Sequence, residues 1–223
     1  MQKIQKYLFS FLILISAVYC LPLSAQDITV ELVQTDGSIQ KQTVPVDTKS
    51  FVFFDGDHST IKEVRNLQKL TDLESLEIYN VSNISDWTFL DSLPKLKTLH
   101  MASVFTPDLQ FVTSLKQMEV LKLDVYLSGK EQLKPIDFSA LTKLKRLEFY
   151  TIPKLTAVPR LLNIRNRPEL DISNCMITSI SENDAEILKQ FSSINIDFSP
   201  VTADYIARTP WLKDLPFTTI NQK

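Results

Sequence analysis

Only three glycines occur in 223 residues, at Gly37, Gly56 and Gly129. That inventory excludes a glycine-rich loop closing its backbone around phosphate, which needs several such positions together. Histidine is as scarce: His58 and His100 stand far apart, and neither has a second histidine or a cysteine pair at zinc-ligand spacing. No serine sits in a nucleophile elbow. Carboxylates are plentiful but scattered, as on any solvated surface. These absences point to a protein that is not an enzyme, with no catalytic residue, no metal and no cofactor.

Long hydrophobic runs are missing too, with one exception at the start. Lys3 and Lys6 precede an apolar stretch from Tyr7 to Leu21, too short for a confident membrane span. Leu23-Ser24-Ala25 then offers a small residue before Gln26, the pattern of a secretory signal peptide over residues 1–25. Lipid attachment at Cys20 is the alternative, although the bulky Tyr19 stands where such sites want a small residue. No integral membrane span is expected after the leader is removed, and the protein is expected to be exported: periplasmic, on the cell surface or secreted. Removing Lys3 and Lys6 from 24 basic groups leaves 22 against 26 acidic ones, a net of −4. A nucleic-acid partner would require a basic stripe instead. Cys175 becomes the one cysteine of the mature chain, so no intrachain disulfide forms and stability must come from a core.

The chain is rich in one thing, a repeated apolar-x-x-apolar-x-apolar frame. Copies begin at Leu73, Leu96, Met118, Leu144, Arg167, Phe191 and Leu212, in steps of 23, 22, 26, 23, 24 and 21 residues. The fourth and sixth positions are apolar in every copy: Leu76/Ile78, Leu99/Met101, Leu121/Leu123, Leu147/Phe149, Leu170/Ile172, Ile194/Ile196 and Leu215/Phe217. Arg167 is the single break, at a first position. A period in this range signals stacked supersecondary units. Alternation places the fourth and sixth residues on one face of a short strand and the fifth on the other. Such a strand buries nothing alone, so copies must stack into a parallel sheet, the intervening residues returning along the outside with Leu90, Leu93, Leu109, Val112, Leu115, Phe138, Leu141, Ile187, Leu188, Tyr205 and Ile206 turned inward.

Before the frames, Ile28 to Leu32 alternates as a strand, Asp36-Gly37 signals a two-residue hairpin turn, and Ile39 to Val46 returns. Ser50 to Phe54 reads as a degenerate first rung with Val52 and Phe54 at the fourth and sixth positions, and Thr60 to Leu70 as a short helix. Residues 26–72 therefore form a β-rich cap and first rung. Residues 73–223 form the solenoid, within the same structural domain. Ser128 to Gln132 is an extra loop, and Ala203 to Thr209 a short outer helix. Asn80-Val81-Ser82 and Asn83-Ile84-Ser85 match a glycosylation pattern that matters only in a eukaryotic host.

The frames resemble those of leucine-rich repeat proteins from Leu73 to Phe217. The copy built on Leu96, Leu99 and Met101, followed by Asp108-Leu109, Val112, Leu115 and Met118, is similar to the short repeats of bacterial internalin-like surface proteins. Leu170-x-Ile172-x-x-Cys175-x-Ile177 carries the part where that family places Asn or Cys. Elsewhere that position reads Val81, Val104, Tyr126, Ile152 and Ser199, so the usual asparagine ladder is mostly missing and irregular turns are expected. The resemblance implies an α/β fold: a right-handed leucine-rich repeat solenoid with a parallel concave sheet and an N-terminal β-hairpin cap. It also implies protein binding on the concave face. The fifth positions point out of that face: Glu77, His100, Lys122, Glu148, Asp171 and Asn195. The seventh flank them: Tyr79, Ala102, Asp124, Tyr150, Ser173 and Asp197. Candidate protein-binding residues are Glu77, Tyr79, His100, Lys122, Asp124, Glu148, Tyr150 and Asp171, since tyrosine supplies rigid contact area with a polar tip. Two other readings stay open: a structural envelope component without a ligand, and a secreted hydrolase whose site carries no motif.

Overall fold

A computed structural model of the chain describes residues 26–56, 60–127, 135–150, 158, 160–197 and 199–220. The leader with Cys20, the loop at Ser128 to Gln132 and the turn position Ile152 lie outside the described residues.

The main sheet is built from the frames. Strands β3 (Ser50–Phe54), β5 (Ser75–Tyr79), β6 (Thr98–Thr106), β7 (Val120–Leu127), β9 (Arg146–Phe149), β11 (Glu169–Asp171), β12 (Ser193–Ile196) and β13 (Phe217–Ile220) lie side by side in chain order, every pair parallel. Register is kept rung to rung: Leu76 pairs with Leu99, Leu99 with Leu121, Leu121 with Leu147, Leu147 with Leu170 and Leu170 with Ile194. These fourth positions and the matching sixth ones are buried in two continuous columns. Each such side chain contributes about 1.5–3 kcal/mol by leaving water, which is how the described residues hold together with Cys175 a free thiol.

Between strands the chain returns through tight turns of 3-10 helix, Thr88–Ser92 and Gln110–Ser114, then through the short parallel pair β8 (Ile136–Asp137) and β10 (Leu161–Leu162), and later through helices α1 (Glu182–Leu188) and α2 (Ala203–Arg208). Three return turns start the same way. The Asp86, Asp108 and Asp137 side chains accept the amides of Thr88, Gln110 and Ser139 at 2.8–2.9 Å. Ser181 and Asp184 form a capping box at the start of α1. Leu90, Leu93, Leu109, Val112, Leu115, Phe138, Leu141, Leu188 and Ile206 are buried against the sheet, as the pattern requires, whereas Ile187 and Tyr205 are only partly buried beside it.

The N-terminal cap is a separate sheet of three antiparallel strands in the order β2 (Ile39–Pro45), β1 (Asp27–Gln34), β4 (Ile61–Arg65). Ile28, Val30 and Leu32 of β1 are buried and close the end of the core. The hairpin loop is one residue longer than expected: the Gly37 amide donates to Gln34 O (3.1 Å), the Gln34 amide to Ser38 O (2.9 Å), and Gly37 takes the left-handed φ of 89°. Thr60 to Leu70 is not a helix. Ile61 and Val64 are buried within β4 instead, and only Leu67–Lys69 turn helically. Asp55 ties the cap to the first rung, its buried carboxylate accepting the Ile61 amide (2.5 Å) and the Thr60 hydroxyl (3.2 Å).

Three register assignments are corrected by the structure. In the first rung Phe51 pairs with Leu76 and Phe53 with Ile78, so these phenylalanines fill the fourth and sixth positions. Val52 and Phe54 point outward instead. A one-residue slip reverses the two faces, and a run of Phe-Val-Phe-Phe supplies apolar residues for both. In the last rung Phe217 pairs with Ile194 and Ile220 with Ile196 across a bulge, so Leu215 precedes the strand instead of lying in it. At the inner turns Asn80, Ser103 and Asn174 adopt left-handed φ of 56–57°, each just before a buried Val81, Val104 or Cys175. Rung β7 lacks that extra residue: Val104 pairs with Val125, and Tyr126 pairs outward with Phe105. Val125, not Tyr126, is therefore the buried turn residue. Asparagine does appear at the turns, one position earlier than the family pattern implies, where its tolerance of left-handed backbone is needed.

One edge of the sheet carries an alternating row of charges. Successive second positions are Lys49, Glu74, Lys97, Glu119 and Lys145. Glu74 pairs with Lys97 at 2.6 Å and reaches Lys49 at 3.9 Å, and Lys145 pairs with Glu119 at 2.6 Å.

Candidate binding face

The parallel register brings the predicted columns together. Val52, Glu77, His100, Lys122, Glu148, Asp171 and Asn195 form one row of directly paired residues across seven strands. Phe54, Tyr79, Ala102 and Asp124 form the next. Adjacent strands lie about 4.8 Å apart, so each row is a line of touching side chains on the face turned away from the core.

Several of these groups are already committed to one another. Tyr79 donates to Glu77 Oε2, which raises the phenol's pKa because its proton is held by a carboxylate. With that proton used, the Tyr79 oxygen accepts from His100 Nδ1 at 3.4 Å, and the two rings meet edge to face at 5.4 Å. Asp171 accepts from the Ser173 amide (2.9 Å) and from Asn195 (2.9 Å). Glu148 departs from expectation. It is only 8% exposed, with Lys122 at 3.3 Å and Arg146 at 2.5 Å over it. Those two bases shield Glu148 and leave it little surface of its own.

Asp124 is different. No lysine or arginine among the described residues pairs with it, and its buried Oδ1 has no hydrogen-bond partner. Burial pushes its carboxyl pKa up, against the opposing pull of the Ser103 amide and His100.

No protein-family profile matches the sequence, and no curated protein is found similar to it. Among solved structures the chain is similar to a leucine-rich repeat protein of Leptospira interrogans, with a TM-score of 0.53 at 14% identity, over 78% of this chain and 44% of that one. The chain has the leucine-rich repeat fold. It spans less than half the length of the Leptospira protein. An internalin of Listeria monocytogenes also matches, with a TM-score of 0.37 at 16% identity over 82% of this chain and 65% of that one; that score is too low to add to the assignment.

In a leucine-rich repeat solenoid the sheet lines the concave side, so the two rows are its inner surface. Sequence reasoning placed Glu77, Tyr79, His100, Lys122, Asp124, Glu148, Tyr150 and Asp171 there, and the sheet register aligns all of them except Tyr150, which follows β9 and donates its amide to Leu123 O. It missed Val52, Phe54, Phe105 and Tyr126. Val52, Phe54, Phe105 and Tyr150 are each 43–51% exposed, and Phe105 stacks on Tyr126 with ring centroids 4.8 Å apart. The slipped first rung hid the first two, and the missing turn residue of β7 hid the other pair.

Proposed function

We propose that the protein is an exported binding module that recognises a protein partner through its concave face. The observation that carries this reading is the set of exposed apolar side chains on that face and at its margin, where Tyr150 follows β9. Val52, Phe54, Phe105 and Tyr150 are large, stand on rigid strands or at their ends, and remain in water although the same fold buries its other columns almost completely. Rigid aromatic anchors among satisfied polar groups are the composition of a protein-recognition surface. Residues 1–25 serve as the leader, 26–72 as cap and first rung, and 73–223 as the remaining solenoid of one domain. Mass spectrometry of the processed protein tests the leader: an N-terminus at Gln26 is expected, and an acylated Cys20 would replace that reading.

The binding test is a pull-down from self and host extracts with the mature chain, beside a variant carrying Phe54→Ser, Phe105→Ser and Tyr150→Ser. All three positions are exposed, so equal thermal unfolding is expected. A partner captured by the parent and lost by the variant supports the concave face. A partner captured equally by both places recognition elsewhere, and no partner in either favours a structural envelope role.

A further inference from the structure

The seventh-position row dips at one point. Ala102 lies between Tyr79 on β5 and Asp124 on β7, and a methyl group there stands between a phenol and a carboxylate. Just beyond it, past the left-handed turn at Ser103, the Phe105–Tyr126 stack rises from the same two strands β6 and β7. The result is a notch with Ala102 as floor, the Tyr79–His100 pair on one side, Asp124 on the other and two stacked aromatic rings at its end.

The charge of this face is one-sided. Its acids are Glu77, Asp124, Glu148, Glu169, Asp171 and Asp197, against Lys122 and Arg146. Both bases are engaged by Glu148, and Arg146 also lies 3.9 Å from Glu169. Glu77 holds the Tyr79 hydroxyl. Asp124 alone beside the notch combines partial burial with an oxygen that nothing in the described structure satisfies. The carboxylate as a whole is partly exposed and has no lysine or arginine counter-ion among the described residues, so an incoming cation supplies the opposite charge it lacks. Aromatic faces next to a carboxylate favour a cation whose stem is apolar.

Resting on the reading of the concave face as a protein-binding surface, we infer that the notch over Ala102 receives a lysine or arginine side chain of the partner. Asp124 is its counter-ion, and the Phe105–Tyr126 stack is the wall along its aliphatic stem. The partner segment is thus basic, with aromatic or aliphatic neighbours that reach Phe54 on one side and Tyr150 on the other.

The test uses the full mature chain and three pools of short synthetic peptides. Every peptide carries aromatic residues; the flanking positions are lysine or arginine in the first pool, aspartate or glutamate in the second and serine in the third. Binding is read by fluorescence anisotropy for the parent, Asp124→Asn, Ala102→Leu and Phe105→Ser, each first matched to the parent by thermal unfolding. Selective binding of the basic pool, weakened by added salt and about tenfold or more by Asp124→Asn, and lost in Ala102→Leu, is the expected result. Ala102→Leu fills the notch without changing charge, so unchanged binding there overturns the notch even if Asp124 matters. Equal binding of all three pools that Phe105→Ser abolishes overturns the cation while leaving the face intact. Binding of no pool, or binding indifferent to every variant, overturns both the notch and the concave-face reading.

Discussion

The outward turn of Phe54 beside the inward turn of Phe53 makes a sharp stability prediction. Phe53 is fully buried, and its ring centroid lies 6.4 Å from that of Phe51. Truncating a buried phenylalanine costs about 3–5 kcal/mol, the lower end applying where neighbours can relax into the gap. An end rung relaxes more readily than a central one, so Phe53→Ala should cost about 3 kcal/mol. Phe54 is half exposed on the opposite face, and Phe54→Ala should fall within about 0.5 kcal/mol of the parent. In urea the first change moves the midpoint by roughly 1 M or more, and the second barely moves it. The two tryptophans suit the assay: Trp87 is buried beneath the second rung, and Trp211 is exposed near the last. Coincident fluorescence and far-UV circular dichroism transitions would certify one cooperative unfolding event. A midpoint shift for Phe54→Ala equal to or larger than that for Phe53→Ala would refute the register of the first rung. The extra apolar end of the candidate face would fall with it.

Asp55→Ala should cost roughly 1–3 kcal/mol, because the buried Ile61 amide loses its acceptor; chemical denaturation measures this, and Asp55→Asn should recover part of it. Asp124→Asn should leave the protein as stable or more stable at neutral pH. Burial raises the Asp124 pKa, so the folded state holds that proton more tightly than the unfolded one, and the charged form opposes folding above the ordinary value of 3.8. A clear loss of stability in this variant would contradict the strained carboxylate. The edge carboxylates behave oppositely. Hydrogen bonds from Lys95, Lys97 and Lys145 hold Asp72, Glu74 and Glu119 below their ordinary values of 3.8 and 4.5. Their stabilisation is full above those values, is lost as pH falls through the lowered pKa values, and should shrink with added salt in acid titrations followed by circular dichroism. Cys175, buried with its thiol 3.5 Å from Phe149 O, should resist a soluble thiol reagent until the protein unfolds; prompt reaction in the native state would show that the turn after β11 opens.

Leu76, Leu99, Leu121 and Leu147 were legible because a period repeated seven times averages out local ambiguity. Each copy tests the register of the others. The first and last rungs were misread where that averaging stops. Phe51 to Phe54 is apolar at every position, so alternation cannot say which two residues face in, and pairing with Leu76 and Ile78 decides it. Leu215 and Phe217 fit the frame by spacing, but Ile194 pairs with Phe217, two residues on, and a bulge after that pair then sets Ile220 against Ile196. Thr60 to Leu70 has helical spacing at Ile61, Val64, Leu67 and Leu70; tertiary pairing with β1 overrides it at the first two. The polar part of the candidate face followed directly from the fifth positions. Of the aromatic residues that sequence reasoning missed, Phe54 was hidden by the slipped first rung, and Phe105 with Tyr126 by a single absent residue in the β7 turn, which leaves no compositional trace.

The alternating edge row of Lys49, Glu74, Lys97, Glu119 and Lys145 bears on how such a chain can change its length. Solenoids grow and shrink by duplication or loss of whole rungs. Excising the rung of Glu74 would bring Lys49 beside Lys97, and excising that of Lys97 would bring Glu74 beside Glu119; removing two adjacent rungs restores opposite signs across the seam. The edge therefore acts as a soft parity check, favouring rearrangement in pairs. It ends where Pro168 and Ser192 take the same positions in the fifth and sixth copies, so the C-terminal rungs are free to be lost or gained one at a time.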